Sequence, residues 1–77
     1  MSTFRFLDQC TRLEMALGAA YDPARDVIDR CMWPGMPEHC RGHTWVIRRN
    51  GRYIALGEKF DDALATATRM GRRRNRG

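Results

Sequence analysis

The dipeptide Asn50-Gly51 sits between two runs of alternating apolar residues, in "WVIRRNGRYIALG", residues 45–57. Asn-Gly is the pair that a two-residue type I′ turn selects, because both central positions need positive φ and the turn's twist matches that of paired strands. A hairpin centred there has one register. Arg49 faces Arg52, Arg48 faces Tyr53, Ile47 faces Ile54, Val46 faces Ala55 and Trp45 faces Leu56. Side chains alternate across a sheet, so Trp45, Ile47, Ile54 and Leu56 share a core face, and Thr44, Val46, Arg48, Tyr53 and Ala55 share the other. The same register sets Arg49 against Arg52 at the tip, where opposed like charges cost about a few tenths of a kcal/mol. Such a cost kept at a turn points to an anionic partner.

The flanking segments read as helices. Ser2 or Thr3 can cap a first one, in which Phe6, Cys10, Leu13, Leu17 and Ala20 recur at three- and four-residue steps, with Leu7 and Ala16 widening the stripe. Gly18 weakens its last turn. Asp22 followed by Pro23 suits a restart, a capping residue and then proline at the first helical position, which predicts a second helix over about 24–32 with Ala24, Val27, Ile28 and Cys31 on one face. The prolines and glycines of "WPGMPEHCRGH", residues 33–43, predict a loop. After the hairpin, Phe60 can staple a third helix capped by Asp61, with Ala63, Leu64, Ala67 and Met70 inward and Gly71 as its stop. Residues 72–77, "RRRNRG", follow as a basic flexible tail. The expected fold is a small single α+β domain over residues 1–71, in the order α-α-β-β-α, with helices covering one side of an antiparallel hairpin that has room for a third strand.

With 77 residues the chain has length for one domain and a small core, and little for a deep enzyme cleft. Its formal charge of +5 is unevenly placed. Residues 1–40 hold four arginines against six acids, a net −2, whereas residues 41–77 hold ten Lys/Arg against three acids, a net +7. A basic half favours a polyanion or an acidic protein patch. Within it, Arg48 beside Tyr53 offers a phosphate contact and a stacking surface, Arg49 and Arg52 extend from the tip, and Arg72, Arg73 and Arg74 trail from the last helix. The N-terminal stretch carries charges throughout and has no uninterrupted apolar run, so no signal peptide or membrane span is expected. Three cysteines, an odd count without scaffold spacing, fit reduced thiols in the cytoplasm.

"NGRYIALGEKFDDALATATRM" resembles the end of the arm-type DNA-binding domains found at the N-termini of phage tyrosine integrases. The matching elements are Gly51-Arg52-Tyr53, then Leu56-Gly57, then Ala63 with Ala67, within residues 45–70. In that family a sheet enters the DNA major groove. The resemblance therefore implies an interface at Arg48, Arg49, Arg52 and Tyr53, and favours DNA over RNA. The family also has a first strand, where the sequence here reads as helix.

Cys31, His39, Cys40 and His43 are four possible zinc ligands within thirteen residues. Only Cys40 and His43 have a familiar spacing, so a buried Cys31 and loop histidines are the preferred reading, and no metal or cofactor is expected. A nucleophile built from Cys40 and its neighbouring histidines lacks an orienting group, and no glycine-rich phosphate loop is present, so no enzyme is expected. Two readings of function remain. One is a small nucleic-acid-binding module of the kind phages and mobile elements encode. The other is a protein-directed inhibitor of a host complex, similar in size and style to anti-CRISPR proteins. It would bind an acidic surface and use Trp33 and Met36 of the apolar "MWPGMP" loop as contacts.

Overall fold

The computed structural model describes residues 2–38 and 42–76, with side chains for residues 5–38 and 42–73. Helix α1 spans Ser2–Leu17 and ends in a 3-10 turn, Gly18–Ala20, where Gly18 takes a φ of 53°. Three strands follow, β1 (Asp26–Cys31), β2 (Thr44–Arg49) and β3 (Arg52–Gly57), and then helix α2 (Phe60–Arg76). The strands form one antiparallel sheet in the order β1-β2-β3. The class is α+β as expected, but the order is α-β-β-β-α.

The segment expected to be a second helix is strand β1. Asp22 does start a turn: its carboxylate accepts from the Ala24 N–H at 2.9 Å, and its carbonyl accepts from the N–H groups of Arg25 and Asp26. The turn goes no further. A short isolated helix is marginal, whereas an extended 26–31 gains a six-pair ladder with β2, from Asp26 opposite Arg49 to Cys31 opposite Thr44. Burial then alternates, with Asp26 and Ile28 inward and Val27 exposed.

The Asn50-Gly51 turn has φ values of 51° and 78°, as a type I′ turn needs. The expected register holds from Arg49–Arg52 through Val46–Ala55. It breaks at Trp45, which pairs with Gly57 rather than Leu56, because a bulge absorbs one residue. Leu56 still reaches the core, at 4% exposure.

Both helices lie on the inner face of the sheet. Leu13 and Leu17 of α1 and Ala63 and Ala67 of α2 close over Ile28, Trp45, Ile47 and Leu56. Complete burial of each leucine contributes about 1.5–3 kcal/mol. Leu7, assigned by periodicity to the buried stripe, is instead exposed. At one end of the domain Phe6 stacks on Trp45 at 5.5 Å and Phe60 meets Trp45 edge-on at 5.8 Å. At the other end Gly71 abuts Leu17, so α1 and α2 run parallel.

Gly71 is not a helix stop. A Cβ built on it would collide with the Ala16 carbonyl oxygen and lie 3.0 Å from that of Leu17. The glycine permits close approach of the two helices, and α2 continues through it to Arg76. Residues 72–76, expected to follow the helix as a basic tail, continue it. No helix among the described residues is long and apolar enough to cross a membrane.

Candidate functional site

The two faces of the sheet divide the arginines of the hairpin. Arg49 points inward. Its guanidinium donates to both carboxylate oxygens of Asp26, at 2.7 and 3.0 Å, and to the Ala20 carbonyl at 3.0 Å. Asp26 is buried, and it also accepts from Arg25 at 2.8 and 3.0 Å and from the Asp22 N–H at 3.0 Å. The hydrogen bonds from Arg49 and then Arg25 hold the Asp26 carboxyl well below the usual carboxylate range. Arg49 thus stands between Asp26 on one strand and Arg52 on the other, and its charge is met within the fold.

Arg48 and Tyr53 share the outer face, as expected, and Val27 completes their row across the three strands. Arg48 reaches diagonally to Asp29 at 3.6 Å, a half-exposed pair of small energetic weight. Tyr53 keeps 40% exposure, with Trp33 stacked on it at 5.3 Å and nearly parallel. Trp33 follows β1 and reaches β3, so its segment crosses the outer face, where Val46 is wholly buried. Val27, Arg48, Arg52 and Tyr53 line a notch of about 210 Å³ around the turn. Met36, the other expected loop contact, is half-buried.

The extension of α2 lies at the same end as the hairpin tip. Met70 shares a small cleft with Arg49, Arg25 and Ala20, which places the last turns of the helix beside the start of β1 and the end of β2. Arg72 and Arg73 follow directly and are exposed. The side chain of Arg74 lies outside the described residues. Cations in the last turns also oppose the negative end of the helix dipole, which favours the helix running on.

No family model, curated protein or solved structure matches this chain.

Among the described residues no three His, Cys, Asp or Glu side chains come close enough to hold a metal. His39 and Cys40 lie outside the described residues. Cys31 sits on the outer face of β1 opposite Thr44, and His43 is exposed one residue before β2. Burial, and then Asp29, pushes the Cys31 thiol up, away from the thiolate a metal ligand or nucleophile needs.

Reading 24–32 as a helix hid two features. One is the third strand, which adds Val27 to the outer face. The other is Asp26, whose pairing takes Arg49 out of the exposed set. The alternation of "DVIDRC" was the available signal, with Asp26, Ile28 and Arg30 on one face and Val27, Asp29 and Cys31 on the other.

Proposed function

We propose that this chain is a small non-enzymatic nucleic-acid-binding protein. Its interface is the hairpin tip, the adjoining outer face of the sheet and the end of α2. The observation that carries the reading is that two basic elements lie at one end of the domain, with Met70 of α2 sharing a cleft with Arg49 of the hairpin. Arg48 and Arg52 stand at the turn, and Arg72 and Arg73 stand on the helix beside it. Several cations within reach of successive phosphates are what polyelectrolyte binding needs. Exposed Val27 and Arg48, beside the part of Tyr53 that Trp33 leaves open, add groups that can meet a groove. The resemblance of residues 45–70 to arm-type domains makes duplex DNA the preferred partner in this proposal.

Fluorescence anisotropy with a labelled DNA duplex at two salt concentrations tests this. Four phosphate contacts give a slope of log K against log salt of about −3.6, and Arg48→Ala with Arg52→Ala lowers its magnitude by about 2. Binding that is flat with salt, or that survives the double change, ends the reading. An RNA duplex in parallel separates DNA from RNA.

One observation favours a second reading, a protein-directed inhibitor of a host complex. The Trp33–Tyr53 stack lies beside exposed Val27 and Met32, with Arg48 and Asp29 at its rim, a composition found at interface centres. A stoichiometric protein complex that Trp33→Ala abolishes, with no shift of DNA or RNA, selects it.

A further inference from the structure

One of two similarly large clefts on the described surface lies away from the basic tip. It lies at the other end, where α1 and α2 begin, and holds about 550 Å³, within the usual range for small-ligand sites. Its floor is the aromatic cluster of Phe6, Trp45 and Phe60. Trp45 is itself buried, while Phe6 and Phe60 keep partial exposure to the cleft. Arg30 projects from β1 opposite Trp45 and lays its guanidinium over the indole, 5.8 Å from the ring centroid. A guanidinium held over a ring is a planar cation that can stack on a second ring.

Arg5 and Lys59 complete the rim, one from α1 and one from the turn before α2. Among the described residues Glu58 is the single acid lining the cleft. Whatever it bonds, three cations against one carboxylate leave two positive charges in excess. The cleft therefore combines flat apolar surface, a planar cation and surplus charge, on residues that take no part in the basic tip.

We propose that this cleft binds a planar aromatic ring carrying an anionic group, the chemistry of a mononucleotide. The ring rests on Arg30 and the exposed parts of Phe6 and Phe60, and the anion meets Arg5 and Lys59. The two chemistries are in one place, so a ligand holding both binds more tightly than a ligand holding either.

The test is a titration of a Trp33→Phe variant, in which Trp45 is the only tryptophan, with AMP, adenosine and inorganic phosphate. AMP is expected to change the Trp45 fluorescence saturably with a Kd below about 1 mM, and adenosine and phosphate each to bind at least about tenfold more weakly. Arg30→Ala with Lys59→Ala is expected to weaken AMP about tenfold or more. Amide NMR shifts on adding AMP are expected around Arg30, Trp45 and Phe60, which locates the ligand even if that variant folds poorly. Arg48→Ala with Arg52→Ala leaves AMP binding unchanged, so failure here and failure of the duplex-binding reading are distinguishable. Phosphate binding as tightly as AMP reduces the site to a diffuse cation cluster and overturns the proposal. Adenosine matching AMP, no saturation by about 1 mM, or shifts confined to the hairpin tip overturn it as well.

Discussion

Asp26 and Arg49 face each other across β1 and β2, and the guanidinium grips both carboxylate oxygens, at 2.7 and 3.0 Å. This relationship explains how two arginines can oppose each other at the hairpin tip. The inward one is paired with a carboxylate of the next strand, and its neighbour Arg52 is left to solvent. The same contact anchors the start of β1, because Arg25 and the Asp22 N–H close on the same carboxylate.

Breaking the pair from one side strands a buried ion. Asp26→Asn is expected to destabilise the domain by about 3 kcal/mol, measured by urea unfolding, since removing one partner of a buried pair leaves the other uncompensated. Arg49→Ala is expected to cost less, because Arg25 still serves Asp26. The double variant should cost less than the two changes summed, as residues in one network do not act independently.

Acid should weaken the fold through the same residue. The folded carboxyl of Asp26 titrates far below its unfolded value, through the bonds from Arg49 and Arg25. The unfolded chain therefore binds the proton first. The contribution is fully present above about pH 4 and is lost as pH falls toward the folded pKa. Thermal melts at successively lower pH are expected to show a steeper fall in Tm for the native chain than for Asp26→Asn.

Gly71 separates two expectations. On helix propensity alone, Gly71→Ala within α2 gains about 1 kcal/mol. The new Cβ would meet the Ala16 and Leu17 carbonyl oxygens, which are backbone and give way only if α1 moves. Net destabilisation of about 2 kcal/mol is expected, read from the urea midpoint. A gain in stability would mean that the helices do not approach at this point.

Trp33 fixes the segment after β1 to the outer face. Trp33→Ala is expected to lose about 1 kcal/mol and the near-ultraviolet circular dichroism of the stacked pair. Tyr53→Ala should cost a similar amount, and the double change little more than either, because both remove one contact.

Local chemistry decided much of this molecule. Asn50-Gly51 dictated the turn, and alternation on either side of it dictated four of the five expected hairpin pairs and the two faces. The spacing of Phe6, Cys10, Leu13 and Leu17 placed α1, and the alanines of α2 marked the side that lies on the sheet. These signals are legible because turn geometry and periodicity act between residues close in sequence. The rest needed partners far along the chain. Residues 22–32 carry both a capping dipeptide and an alternating pattern, and only the open edge of β2 made the extended form the better one. Gly71 is an ordinary stop signal until α1 lies against it. Arg49 and Arg52 look alike in the sequence. Tertiary structure assigns one to a buried carboxylate and leaves the other exposed to solvent, because charge pairing depends on distances in space and not on position along the chain.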